Sequence, residues 1–444
     1  MKLIQTIKNI WSIEDLRARI LTTLGLLLIF RVGTYVVLPG INPSALDELE
    51  AQATGGILGL VNIFAGGAFS RASVFALGIM PYISASIALQ LLSLAVPYFQ
   101  KLQKEGESGR KTINQWTRYL TVLICIFQGF GYIVNLKFIA GGAIVISDAL
   151  FTVSTITVLT AGTVFVMWIG EKITDKGIGN GISLLIMVGI IANLPFALLA
   201  EFDSRINGSG LVPFILEIAV LVFIVIAVIL LVQGTRRIPV QYAKRIVGNR
   251  QYGGVRQYIP LKINAAGVMP IIFAQALMFL PATIAQFFPA SDSTSSFIAT
   301  FSDFTSAPYN IIYFLLVVIF TYFYTALIVN PVQMSEEMKK NSGFIPGVKP
   351  GKQTAEFLDA VVSRITLPGA IFLASVAILP AFAMLAGINS QFAIFFGGTS
   401  LLILVSVVLD TLQQVESHLL MRKYDGLMKS GRIKGRSAAV GASL

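Results

Sequence analysis

Few residues in this 444-residue chain are of a type that does chemistry, and those few lack the neighbours that chemistry needs. The run Gly347-Val348-Lys349-Pro350-Gly351-Lys352-Gln353-Thr354 superficially resembles a phosphate-cradling loop. Three residues separate its glycines where that motif has four, and Gln353 stands where a magnesium-binding hydroxyl belongs. The single histidine, His418, lies in the C-terminal stretch without a neighbour that would make it a ligand or a base. The single cysteine, Cys125, sits in an apolar run, which excludes an internal disulfide and a cysteine-based metal cluster and suits a core filler. Acids are scarce in the apolar stretches: Glu217 and Asp410 fall near the ends of two of them. A transporter driven by protons or sodium usually carries ionisable or coordinating groups at mid-membrane, and those are missing. The expectation is a protein with no enzymatic activity, metal or cofactor, working through shape and gating.

The rest of the chain is built for lipid. Hydrophobic residues make up 55% and charged residues 12%, against roughly 25% charged in soluble domains. Apolar windows long enough to span occur near residues 20–38, 73–96, 117–135, 150–170, 181–200, 211–232, 265–288, 310–330, 366–386 and 393–410. Residues 1–19 read as an amphipathic helix at the membrane surface, without the pattern of a cleavable leader. Of the 33 Lys and Arg, only Arg31, Arg71, Lys137 and Arg205 fall on one side of a ten-span layout. The other side, which carries both termini and the tail at 411–444, is therefore expected to be cytoplasmic.

These spans must position one stretch that a plain bundle does not need. Residues 57–65 are expected to make roughly 13 Å of helix at ~1.5 Å per residue, too short for a ~30 Å hydrocarbon core. Glycine pairs Gly55-Gly56 and Gly66-Gly67 cut it off at both ends. Irregular backbone at membrane depth is tolerated only when buried in protein or lining a watery cavity, so the stretch predicts a pore with something short inside it.

Two motifs also repeat. Gly78-Ile79-Met80-Pro81-Tyr82-Ile83 returns as Gly267-Val268-Met269-Pro270-Ile271-Ile272, and Gly181-Ile182-Ser183-Leu184-Leu185-Ile186 as Gly398-Thr399-Ser400-Leu401-Leu402-Ile403. Both pairs are displaced by five spans, in order. That predicts two halves, 20–200 and 201–410, inverted because each holds an odd number of spans. Pro81 and Pro270 are expected to kink the second and seventh spans. Two long loops, 233–264 and 331–365, carry many charges. The first mixes basic residues with Tyr242, Tyr252 and Tyr258, which suits nucleic-acid phosphates or an acidic protein surface and equally suits charges that only enforce topology; the second has both signs and suits a protein.

Several runs carry a family resemblance: NIFAGGAFSRASVFALGIMPYISASIALQLL (62–92), KLQKEGESGRKTINQWTRY (101–119), GEKITDKGIGNGISLLI (170–186), RRIPVQYAKR (236–245), IPLKINAAGVMP (259–270), FYTALIVNP (323–331), GFIPGVKPGKQTAEFLD (343–359) and FGGTSLLILV (396–405). Together they resemble the SecY family, the central subunits of bacterial protein-conducting channels.

The resemblance implies an all-α polytopic membrane protein of ten helices, in two inverted five-helix halves around an hourglass pore. Residues 55–70 would be its plug, with Gly55, Leu60, Asn62, Phe64, Gly66 and Gly67 in it and Arg71 beside it. The pore ring would be Ile79, Ile83, Ile182, Ile186, Ile272 and Ile403. The second and seventh spans, with the third and eighth, would form a lateral gate. It would include Pro81, Gln90, Thr117, Asn264 and Pro270, and interhelical hydrogen bonds from Gln90, Thr117 and Asn264 are expected to hold it shut. Arg236, Arg237, Lys244, Arg245, Arg250, Arg256, Lys349 and Lys352 would contact the SecA ATPase or the ribosome. Lys349 stands where the family usually has arginine, and lysine lacks the planar fork that grips a carboxylate bidentately. Implied partners are SecE, a SecG-like small subunit, SecA, the ribosome, secretory and membrane-protein substrates and anionic lipids, at a bacterial plasma membrane. The alternative compatible with ten helices and inverted halves is a secondary transporter of a small solute.

Overall fold

The computed structural model describes residues 11, 13–42, 46, 59, 62–207, 210–242, 245–247, 250–252, 256–285 and 305–429. Gly55, Leu60, Lys244 and the first ten residues lie outside the described residues. The first helix, α1 (Glu14–Gly33), opens with Glu14 and Asp15 and closes with Arg31, the charge order that the helix dipole favours. The chain then runs back as irregular backbone over residues 65–79. It is stitched to the exit of α1 by a Val37–Ser73 bridge and by the N–H groups of Val74 and Leu38, each 2.9 Å from the carbonyls of Val36 and Ala72.

The next helix, α2 (Met80–Ala95), is followed by α3 (Pro97–Lys104) at a bend of 101°. Then come α4 (Glu107–Ala140), α5 (Asp148–Lys176), α6 (Gly181–Asn207) and α7 (Leu211–Gln233). After a stretch of strands follow α8 (Met269–Ala285), α9 (Ala307–Ile328), α10 (Pro331–Lys340), α11 (Lys352–Leu385), the one-turn α12 (Ser390–Ala393) and α13 (Gly398–Lys429). Among the described residues seven helices are long and apolar enough to cross a membrane: α4, α5, α6, α7, α9 with its continuation α10, α11 and α13. The bent pair α2 and α3 makes an eighth if it counts as one span. The other windows, first and seventh, are filled by α1 and α8.

The structure corrects several expected boundaries. Pro81 and Pro270 do not kink the interior of a helix: they are the second residues of α2 and α8. A proline there gives up an N–H that has no intrahelical partner anyway. The change of direction is made ahead of them by Gly78 and Gly267, at φ 55° and 65°, a left-handed conformation that favours glycine. The segment 101–118 is mostly helix, because α4 begins at Glu107. At its far end α6 runs to Asn207, past residue 200, and α13 continues beyond Asp410 to Lys429, so His418 lies on a helix.

The two charged loops are not loops but one small α/β unit. In it β1 (Thr235–Tyr242) pairs antiparallel with β4 (Arg256–Lys262), Thr235 opposite Lys262, and on its other edge with β5 (Gly343–Phe344). A two-stranded ribbon, β2 (Arg245–Val247) with β3 (Arg250–Tyr252), lies between them in sequence. Ile238 and Val240 point inward with period two and meet Leu261, Met338, Ile345 and Leu358 in a separate core. Among the described residues the apolar windows are mostly helix, and the sheet of β4, β1 and β5 is the one sheet of more than two strands.

Candidate functional site

The six isoleucines sit at the starts of four helices. Ile79 is the N-cap of α2 and Ile83 its fourth residue; Ile182 and Ile186 are the second and sixth residues of α6. Ile272 is the fourth residue of α8 and Ile403 the sixth of α13. Ile79, Ile186 and Ile403 are buried in one apolar cluster, against which Ile83, Ile182 and Ile272 pack. The six side chains therefore share one aliphatic environment and carry no donor or acceptor, the chemistry that a constriction for arbitrary polypeptide requires.

A clamped loop sets the start of α6. Asn180 caps it, its Oδ1 accepting from the N–H groups of Ile182 and Ser183 at 3.1 and 3.3 Å. The N–H of Ile178 donates to Thr23 Oγ1 at 3.1 Å, that of Gly181 to Thr174 Oγ1 at 2.9 Å, and that of Gly179 to Gln414 Oε1 at 2.8 Å. Helices α1, α5 and α13 therefore all hold the loop that places Ile182 and Ile186.

The same apolar cluster contains Ile63, Phe64, Ala65, Ala68 and Phe69, from the described part of the segment expected to be a plug. Asn62 ties this segment together. Its Oδ1 accepts the N–H of Ser70 at 3.0 Å and its carbonyl that of Gly67 at 2.8 Å, closing the loop on itself. Gly66 and Gly67 take φ 66° and 84° to make that turn. Arg71 lies over the ring of Tyr35, 4.4 Å from its centroid. Beside the segment is a cavity of about 330 Å³, lined in part by Asn62, Arg71, Asn193 and Gln391.

Of the three polar residues expected to bridge the gate, Gln90 makes a bond between helices. Its Oε1 accepts the hydroxyl of Tyr324 on α9, a residue the sequence reading did not single out. Around that bond Ile87 of α2 packs with Ala266, Phe273 and Tyr324. Thr117 turns its hydroxyl to the Ile113 carbonyl of its own helix at 2.9 Å, the usual outlet for a threonine inside a helix. Asn264 is buried in the turn between β4 and α8, and its Oδ1 has no hydrogen-bond partner among the described residues. Arg236 and Arg237 are exposed on β1, and Lys349 and Lys352 are exposed near the start of α11. Lys352 stands 3.9 Å from Glu356. Arg245 and Arg250 belong to the β2–β3 ribbon and Arg256 begins β4.

A buried charge network was missed. Arg205 pairs with Glu201 one turn back at 2.7 Å and with Glu217 of α7 at 2.6 Å, and it donates to the carbonyl of Gly387 at 2.9 Å. Glu201 in turn accepts the N–H of Asn389 at 2.8 Å. These side chains are only 1% (Glu201), 15% (Arg205) and 11% (Glu217) exposed. The available signal was the four-residue spacing of Glu201 and Arg205 beside an acid in an otherwise uncharged span.

The class defined by this geometry is a polytopic helical bundle in which the six isoleucines share one aliphatic core. Its fold is shared with the solved structure of a protein conducting channel, at TM-score 0.61 and 17% identity, covering 96% of this chain and 95% of that one. Sec61 in a canine ribosome–channel complex matches at TM-score 0.58 and 16% identity, with the same coverage. The SecY family model matches residues 73–412. The protein translocase subunit SecY of Streptomyces scabiei is 44% identical over 427 residues, 94% of this chain and 97% of that protein. Its counterpart from Vibrio cholerae is 42% identical over 431 residues, 96% of each. The chain belongs to the SecY family. The small-solute transporter alternative finds no support among these relatives.

Proposed function

We infer that this chain is the channel-forming subunit through which unfolded secretory polypeptides cross the membrane, and from which transmembrane segments leave sideways into lipid. One observation carries this reading. Six isoleucines from four helices, two of them opened by one repeated motif and two by another, close on a single cluster against which the plug segment packs. The ten windows then count as ten spans in two inverted halves, with both termini cytoplasmic as the distribution of Lys and Arg favours. Pro81 and Pro270 start the helices that line the gate, and the Tyr324–Gln90 bond spans it.

No catalytic step belongs to this subunit, so the energy for transport comes from its partners. The α/β unit with Arg236, Arg237, Arg245, Arg250, Arg256, Lys349 and Lys352 is the proposed contact for SecA and the ribosome. Its basic strands supply the phosphate-binding charge and its mixed-charge helices a protein-docking face. The ribosome complex of Sec61, which shares the fold, supports the second partner. SecE, a SecG-like subunit and anionic lipids complete the proposed assembly, in a bacterial plasma membrane. The test is cross-linking of a stalled secretory chain to photoreactive probes at Ile83 and Ile403. Adducts at both are expected; their absence, with adducts elsewhere on the channel, removes the pore assignment.

A further inference from the structure

Arg31 is an odd residue for its place, a permanent cation in the last turn of an apolar helix. A charge at such depth persists where it finds partners. Its Nη1 donates to the carbonyl of Gly66 at 2.6 Å, and its Nη2 to the hydroxyl of Tyr35 at 3.2 Å. One guanidinium reaches both acceptors because it is a rigid planar fork, which a lysine ammonium is not. Tyr35 is held in turn: its ring lies 5.2 Å from the Arg31 guanidinium and 4.4 Å from that of Arg71.

On its other side Gly66 faces α6. A Cβ on Gly66 would come within 3.1 Å of the Gly189 Cα, and one on Gly189 within 3.2 Å of the Gly66 Cα. The two backbones therefore touch with no side chain between them, and the Gly66 carbonyl is aimed at Arg31. Three residues on, the buried Tyr132 of α4 donates its hydroxyl to the carbonyl of Phe69 at 3.0 Å, its ring meeting the Phe69 ring edge-on at 5.0 Å. The plug segment thus has two carbonyls bonded to side chains of two different helices, and a third helix pressed against its back.

We propose that Arg31, assisted by Tyr132, is a positioning residue that fixes the root of the plug at residues 66–69, so that opening moves only the chain ahead of Gly66. The inference rests on the plug reading given above. It assigns Gly66 as the hinge, and gives Arg31 the task of returning the plug to the same seat after each passage.

The experiment uses two cysteines in one chain: Ala65→Cys beside the anchor and the native Cys125 in α4, both sites fully buried. In reconstituted channels a membrane-impermeant maleimide should leave both unlabelled. Arg31→Gln should accelerate labelling at position 65 by roughly tenfold, as for loss of a charge-assisted hydrogen bond, and leave Cys125 protected. Tyr132→Phe, which removes one oxygen, should accelerate it by about threefold. Resting ion flux should rise in the same order. Unchanged labelling at 65 in both variants overturns the proposal. Labelling of Cys125 as well in Arg31→Gln marks a channel that has lost its fold, and Tyr132→Phe then decides alone by the same criterion. Labelling at 65 without ion flux upholds the anchor and overturns the plug as the seal.

Discussion

The two proposed halves meet along two seams of opposite chemistry. At the proposed gate, α2 meets α9 through a neutral hydrogen bond, Tyr324 to Gln90, and α8 and α9 through a small apolar patch around Ile87. Close by, Asn264 keeps a buried amide oxygen without a described partner. At the other seam, Glu201 and Arg205 of α6 hold Glu217 of α7 and the backbone of Gly387 and Asn389 ahead of α13. A neutral interhelical hydrogen bond in a membrane is worth about 1 kcal/mol. Removing one member of a buried ion network costs about 3–5 kcal/mol, because it strands the remaining charge. The difference sets the expectation for the proposed gate: the weakly held α2–α9 contact should be the one that parts for a signal sequence, and the charged contact the one that stays shut.

Each side of that contrast can be broken. The largest effect is expected from locking the weak seam: cysteines in place of Gln90 and Tyr324, bridged by a short bis-methanethiosulfonate, should stop translocation, and reduction should restore it. Transport that continues through the cross-linked channel would mean that the gate lies elsewhere. Next, Arg205→Leu should lower the unfolding midpoint of the detergent-solubilised protein more than any gate substitution, by an amount corresponding to about 3–5 kcal/mol. A midpoint equal to that of Tyr324→Phe would erase the distinction between the seams. The smallest effects sharpen the gate itself. Tyr324→Phe should shift its equilibrium by ~1 kcal/mol and let defective signal sequences through. Asn264→Leu should leave stability unchanged or raise it, since a buried amide oxygen without a partner is replaced by an apolar group. Secretion of a reporter with a weakened signal sequence measures the first of these and thermal unfolding the second.

The membrane part of this arrangement was legible because burial in lipid writes itself into long apolar windows, each of which holds a helix. The repeated motifs were legible too, but their meaning was partly misread. A proline in an apolar window looks the same at the start of a helix as in its middle, and only the positive φ of Gly78 and Gly267 separates the two cases. The sheet escaped notice although Ile238 and Val240 alternate with Arg237 and Pro239, because the surrounding charges suggested an open loop. Thr117 and Asn264 were plausible gate bonds by residue type, but a hydroxyl or an amide bridges helices only if helix rotation points it across. Rotation leaves no local trace in sequence. The Arg31–Gly66 bond joins residues 35 apart, and nothing in either neighbourhood announces the other.

One consequence follows from where the four helices that supply the isoleucines begin. All six residues lie at the N-cap or within the first two turns, so the constriction is surrounded by the amino ends of α2, α6, α8 and α13. Each such end carries about half a positive elementary charge. If these isoleucines form the proposed pore ring, those ends add a positive potential set by the backbone itself, expected to disfavour sodium and potassium even when the side chains part around a passing chain. Under a potassium chloride gradient, the current through a channel lacking residues 57–65 should reverse near the chloride potential; reversal near the potassium potential would show that the dipoles do not reach the pore.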